Sequence, residues 1–247
     1  MSFKEDLKKK RQFGYWSIIP SVQIHEIMAL AGFDFCIIDL EHGTYSFQEA
    51  LESVISIQSS GMRALIRPSS HDEKEILRCL EIGVDGICIP HVRNKIEAEK
   101  IISACTYPPS GNRGASGFTR ASNYGLKNFT EHVKTQNKDL FISLLIESEE
   151  GLQNINEIAS LPRLDSLYFG TYDIASSLGY LDQNSKDISK LINGVINSID
   201  NENIIFGQVF VNNEQYLNIN EKMNFVVAGV DCGIFLHGAN KARSGFN

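Results

Sequence analysis

Residues 36–49 read CIIDLEHGTYSFQE. Cys36-Ile37-Ile38 is an apolar run of the kind a buried strand uses, and Asp39, Glu41 and His42 follow at its end. Ser46 and Glu49 then stand at the S-x-x-E spacing of a capping box, in which each side chain takes the other residue's backbone N–H. One short stretch therefore predicts a strand, a polar turn and a helix start, with acids and an imidazole at the strand's C-terminal end.

The same alternation extends outward in both directions. Candidate strands are GYWSII (14–19), DFCIIDL (34–40), RALIRP (63–68), GICIPH (86–91), FISLLIE (141–147), SLYFG (166–170), IIFGQVF (204–210) and FVVAGVD (225–231). Most are continuous apolar runs, as expected of parallel strands covered on both faces. Helical patterns lie between them. SFQEALESVISIQSSG closes at Gly61, and SHDEKEILRCLEIG has a Ser70…Glu73 capping box and closes at Gly83. KIEAEKIISACTYP, EGLQNINEIASLP, DISKLINGVINSID and NNEQYLNINEKM take the same role. MSFKEDLKKK predicts a short N-terminal helix with a Ser2…Glu5 box. Eight β–α alternations over 247 residues predict one domain, 1–247, folded as an α/β (β/α)8 TIM barrel. The long Pro- and Gly-rich stretch YPPSGNRGASGFTRASNYG (107–125) predicts a loop of the sort that often carries function.

Composition narrows the function classes. A net charge of −7 argues against nucleic acid, which favours a basic face. No apolar run approaches the ~20 residues of a membrane span, and the charged N-terminus lacks a signal-peptide core. Five widely spaced cysteines without a CxxC predict reduced thiols and a cytoplasmic location. P-loop, GxSxG and GxGxxG patterns are absent, and no predicted strand end carries a lysine for Schiff-base chemistry.

In a parallel barrel, chemistry gathers at the C-terminal strand ends. Those ends hold Asp39, Glu41 and His42; Arg67; Pro90-His91; Glu147; Gly170 with Asp173; and Asp231. Taken singly, a carboxylate there is more often a cap, and His25, His71, His132 and His237 are more often structural. His42 is the exception, because Asp39 is placed to hold its ring and fix the tautomer that a general base needs. Glu147 and Asp173 form an all-oxygen pair suited to a hard divalent ion such as Mg²⁺ or Mn²⁺. Arg67 would pair with a carboxylate or a developing enolate.

AGFDFCIIDLEHG, RALIRP, YPPSGNRG, LLIESEEGLQNINEI and FGTYDIASSLG, in this order, resemble the HpcH/HpaI family of metal-dependent class II pyruvate aldolases. The resemblance implies a barrel of the phosphoenolpyruvate/pyruvate type and a divalent cofactor (Mg²⁺, Mn²⁺ or Co²⁺). It also implies cleavage of a 4-hydroxy-2-oxo acid to pyruvate and an aldehyde, in a homo-oligomer (trimer or hexamer). It places His42 as base, Asp39 as its dyad partner, Arg67 on the enolate, and Glu147 and Asp173 on the metal. Gly170 falls in the carboxylate-binding loop. Glu81 falls where an acid reaches a neighbouring subunit's site. Tyr172 and Leu145 depart from the family pattern, in which a small residue and a glutamine are usual. The rival readings are a citrate-lyase β-like acyl-thioester lyase and a non-catalytic carboxylate-binding barrel.

Overall fold

The eight strands close on themselves. In the computed structural model, which describes residues 2–180, 186–210, 216 and 219–245, the strands are β1 Gln12–Ser17, β2 Phe35–Asp39, β3 Arg63–Arg67, β4 Gly86–Ile89, β5 Phe141–Ile146, β6 Ser166–Phe169, β7 Ile205–Val209 and β8 Met223–Val230. Each pairs in parallel with the next, and β8 pairs with β1. Every predicted strand is present, with bounds moved by at most two residues. The helices are α1 Phe3–Lys9, α2 Val22–Leu30, α3 Phe47–Ser59, α4 Glu73–Glu81, α5 Lys95–Cys105, α6 Phe129–Asp139, α7 Glu149–Gln153, α8 Ile155–Ala159, α9 Thr171–Ser177 and α10 Lys186–Ser198, with a C-terminal helix at Asp231–Ser244. Half of NNEQYLNINEKM, where a helix is expected, lies outside the described residues; its last five residues, 219–223, are not helical and run through a turn into β8.

Two capping boxes form as predicted, at Ser2/Glu5 and Ser46/Glu49. The third does not. Asp72 caps α4 by accepting from the Lys74 and Glu75 amides, and Ser70 instead donates to Glu75. Asp competes well with Ser as a cap, and here it lies two residues nearer the helix.

Strand alternation sorts the apolar residues into two cores. Outward residues such as Ile38, Ile66, Ile89, Ile142, Leu144 and Phe169 pack under the helices. Inward residues, among them Phe35, Ile37, Leu65, Cys88, Phe141, Leu145, Tyr168 and Phe225, fill the barrel. Helix α1 closes its lower, N-terminal end: the Phe3 ring enters between Phe35, Phe141 and Phe225, with centroids 5.3, 5.1 and 5.9 Å away. Near the upper end, the Trp16 indole donates to the Tyr168 hydroxyl at 3.0 Å. This buried pair is the floor on which the upper rim is built.

The 107–125 stretch follows a helix, so it lies at the lower end of the barrel, opposite the C-terminal strand ends. Arg120 there donates to the Ile82 and Gly83 carbonyls, below β4. A polar cavity of about 510 Å³ opens beside it, lined by Arg63, Asp85, Arg120 and Asp139 and by none of the rim residues. The loop is therefore separate from the C-terminal strand ends of its own barrel.

Candidate active site

The alternation that fills the barrel also fixes its upper layer. Asp39 continues the inward series Phe35, Ile37; Arg67 continues Leu65; Glu147 continues Phe141, Ser143, Leu145. Asp39 and Arg67 are direct register partners across β2 and β3. Arg67 donates from Nε to Asp39 Oδ1 at 2.9 Å and from Nη2 to Oδ2 at 2.6 Å, a bidentate fork. Its guanidinium lies 4.4 Å over the Trp16 ring, so the charge is held from below as well. Burial alone would lower the Arg67 pKa, but Asp39, Glu41 and Glu147 together keep it raised. The third nitrogen, Nη1, faces Glu41 Oε2 at 3.1 Å and Glu147 Oε1 at 3.8 Å.

This geometry corrects one expectation. Asp39 does not hold the His42 ring: its Oδ1 accepts the backbone amides of Glu41 and His42, at 3.0 and 3.2 Å, and its remaining capacity goes to Arg67. The residues are three apart in sequence, but Asp39 points into the barrel while the His42 side chain is 65% exposed on the turn above. The carboxylate nearest the His42 ring is Glu41, with Oε2 4.0 Å from Nε2.

Glu147 is buried. Its Oε2 accepts the His91 backbone N–H at 2.7 Å, with the His91 ring Nδ1 at 3.2 Å. Burial raises its pKa; the His91 contacts and Arg67 pull it back down, and the Asp173 charge adds to the rise. Asp173 lies exposed in the first turn of α9, next to the half-exposed Tyr172. Gly170, the N-cap of α9, is required by close approach: a Cβ there would lie 2.5 Å from Glu147 Cγ and 2.9 Å from Oε1. Leu145 is buried in the barrel interior, below Glu147.

His91 has a positive φ of 53°, and its Nε2 lies 2.8 Å from Glu41 Oε1. Sequence reasoning noted it only as a strand end. The signal available was its place directly after β4, on the rim and level with the other strand-end acids.

The remaining groups separate cleanly. Asp231 is structural: its Oδ2 takes the Ile18 and Ile19 amides and the Ser17 hydroxyl. His25 is buried against the Tyr15 hydroxyl, and His132 against that of Tyr107. Glu81 ends α4 at the lower end of the barrel, where its charge acts on Tyr107 and Arg113, so it is remote from its own rim. Arg113 and Arg120 are also at that end and Arg93 pairs with Glu97, so these arginines make no basic rim patch for coenzyme A.

The donor set fits a hard divalent ion. Three carboxylates, Asp39, Glu41 and Glu147, converge on a single guanidinium, and Asp173 adds a fourth negative charge nearby. Glu41 Oε2 is buried and makes no aligned hydrogen bond, its charge met by Arg67 Nη1 at 3.1 Å. Among the described residues no three His, Cys, Asp or Glu side chains form a ready-made cage. Mg²⁺-type ions commonly use just one or two protein carboxylates and leave other positions to water and substrate.

A closed parallel barrel whose upper rim gathers a clamped arginine, buried carboxylates and an imidazole is an enzyme barrel for a small, oxygen-rich substrate. Residues 12–238 match the family described as HpcH/HpaI aldolase/citrate lyase. The chain belongs to that family, and it is a carbon–carbon lyase of the aldolase type. It is 35% identical over 185 residues to a hydroxypyruvate/pyruvate aldolase of Sagittula stellata, covering 74% of this chain and 72% of that protein. It is 30% identical over 249 residues to a 5-keto-4-deoxy-D-glucarate aldolase of Escherichia coli O6:H1, covering 99% of this chain and 96% of that protein. A crystal structure of a family protein from Burkholderia cenocepacia superposes with a TM-score of 0.91 at 21% identity, covering 98% of each chain, which shows the shared fold.

Proposed function

We propose that the chain cleaves 4-hydroxy-2-oxo acids to pyruvate and an aldehyde, and runs the reverse addition, with Mg²⁺, Mn²⁺ or Co²⁺ held by Glu147 and Asp173. The observation that carries this reading is Arg67 fixed by Asp39, with Nη1 turned toward Glu41 and Glu147. When bound, the ion supplies Lewis-acid polarisation of the 2-oxo carbonyl.

The chain's own residues supply the rest. Arg67 Nη1, which Asp39 does not use and which faces Glu41 Oε2, is the donor that meets negative charge developing on the 2-oxo oxygen as the C3–C4 bond breaks. Because Nε and Nη2 are already committed to Asp39, that donor is preorganised and needs no reorientation during the reaction. The first-turn amides of α9, after Gly170, lack intrahelical partners and suit the substrate carboxylate. Tyr172, about half exposed on that turn, is available to the substrate. His42, at the mouth beside Glu41, takes the 4-hydroxyl proton during cleavage and returns it during addition. General-base help of this kind is worth about 10²–10⁴-fold. The pyruvate enolate then takes a proton at C3.

The same reading extends to assembly and location. Glu81 can serve only the rim of another copy, which fits a trimer or hexamer. Ile27, Leu30, Phe118, Leu126, Phe235 and Leu236 are exposed apolar residues available for such contacts. All five cysteines are free, four of them buried, as in a reducing cytoplasm. Among the described residues no helix is long and apolar enough to cross a membrane.

The test is a panel of 4-hydroxy-2-oxo acids with pyruvate release followed enzymatically, with Mn²⁺ and with EDTA. Release with Mn²⁺ that EDTA abolishes is expected. Absence of pyruvate from every member of the panel, with Mn²⁺ present, would sink the reading.

A further inference from the structure

His91 is connected to the rim in a way the catalytic scheme above does not use. Its backbone sits in the left-handed region, at φ 53°. That conformation is uncommon for a residue with a side chain and favours glycine and asparagine. It turns both the amide and the ring of His91 toward the same neighbours. The amide donates to Glu147 Oε2 at 2.7 Å, and ring Nδ1 lies 3.2 Å from the same oxygen. The opposite nitrogen, Nε2, lies 2.8 Å from Glu41 Oε1.

One imidazole therefore stands between two carboxylates from different strand ends, β2 and β5, with Nε2 within hydrogen-bond distance of Glu41 Oε1 and Nδ1 facing Glu147 Oε2, which the His91 backbone N–H also holds. The oxygens it leaves free are Glu41 Oε2 and Glu147 Oε1, and both face Arg67 Nη1, at 3.1 and 3.8 Å. Gly170 stands on the Oε1 side of Glu147, where a Cβ would come within 2.9 Å of that oxygen. The ring thus occupies the far side of Glu147 from α9 and Asp173, and it fixes which oxygen is presented to them.

We infer that His91 is a positioning residue. Its imidazole braces Glu41 and Glu147 so that Glu147 Oε1 is the atom offered to the divalent ion and Glu41 Oε2 is turned to Arg67. The inference rests on the reading of Glu147 and Asp173 as ion ligands. The ring braces the ligand from behind, so its loss weakens ion binding. A ring that competed with the ion would have the opposite effect.

Two substitutions separate ring from backbone. His91→Gly removes the imidazole but suits the positive φ, so the amide bond to Glu147 is kept. His91→Asn tolerates the same backbone and places an amide nitrogen near the Nδ1 position, restoring the Glu147 contact but not the Glu41 one. Binding of Mn²⁺ to the purified full chain is measured by the EPR signal of free Mn²⁺, with far-UV circular dichroism confirming that each variant is folded. Loss of a residue that orients a ligand typically costs 10–100-fold in metal affinity, so His91→Gly is expected to weaken Mn²⁺ binding by about that factor, with His91→Asn between it and wild type. In turnover, the Mn²⁺ activation constant rises while kcat at saturating Mn²⁺ is largely retained. Unchanged or tighter Mn²⁺ binding by a folded His91→Gly, beside a wild type that binds, overturns the bracing role alone. A wild type that binds no Mn²⁺ overturns the ion-ligand reading, and the inference falls with it.

Discussion

Asp39→Asn tests whether the second carboxylate of the rim serves the arginine or the histidine. Asparagine keeps an Oδ1 that can still accept from Arg67 Nε and from the Glu41 and His42 amides. It replaces Oδ2 by an NH₂ facing Arg67 Nη2, so the 2.6 Å charge-assisted bond becomes two opposed donors. A hydrogen bond to a charged group contributes about 1.5–3 kcal/mol. Glu41 and Glu147 still face Nη1, so the guanidinium is not left without counter-charge. The full 3–5 kcal/mol for breaking a buried pair by removing one partner is therefore not expected. For a chain of this size about 1.5–3 kcal/mol lowers the melting temperature by about 3–12 °C. The same loss at the transition state is about 10–150-fold in kcat/KM for pyruvate-releasing cleavage. The deciding assay is a pair of double-mutant cycles. Asp39→Asn should be non-additive with Arg67→Lys, with coupling in the usual 0.5–3 kcal/mol range for contacting residues, and nearly additive with His42→Ala. The reverse pattern, additive with Arg67→Lys and coupled to His42→Ala, would refute the clamp and restore the dyad.

Three further outcomes follow from particular contacts. Gly170→Ala puts a Cβ 2.5 Å from Glu147 Cγ, so it should displace that side chain and weaken Mn²⁺ binding measured by calorimetry while the fold is kept; unaltered affinity would count against Glu147 as a ligand. Phe3→Ala empties the plug between Phe35, Phe141 and Phe225 and should cost about 3–5 kcal/mol, lowering the melting temperature by about 6–20 °C with kcat unchanged below the melt; a stable variant would mean that α1 does not close the barrel. Burial lowers the His25 pKa to about 4, from an ordinary value near 6.5, so the unfolded chain takes up a proton in that window that the native state refuses. Its stability is then complete above about pH 6.5 and falls as pH drops toward 4, by about 2 kcal/mol at pH 5 and about 3 kcal/mol across the window. Urea unfolding of wild type and His25→Gln should show this difference in slope, and parallel pH curves would contradict it.

The barrel was legible because each βα unit announces itself locally. CIIDL is apolar enough to be buried, Ser46 and Glu49 start the next helix, and eight such units leave little but a closed ring. The upper-layer positions were also legible, since Asp39, Arg67 and Glu147 each lie an even number of residues beyond an inward apolar residue. What the sequence concealed was pairing across strands. Asp39 and His42 are near neighbours in the chain, but the β2–β3 register brings Asp39 to Arg67, and register depends on the whole closed sheet. His91 escaped for a related reason, because its bond to Glu147 joins residues 56 apart. The 107–125 loop was legible as a loop but not in its placement. Its richness in glycine and proline was informative, but its position after α5 sends it to the end of the barrel opposite the rim.

The most direct test of the central claim is deuterium exchange into the methyl group of pyruvate in D₂O, followed by mass spectrometry, since it isolates enolate formation from the unknown aldehyde. The account predicts label incorporation with wild type and Mg²⁺ or Mn²⁺, and its loss both on addition of EDTA and in a folded Glu147→Gln variant. No incorporation with the ion present, or the same rate in Glu147→Gln as in wild type, would contradict it.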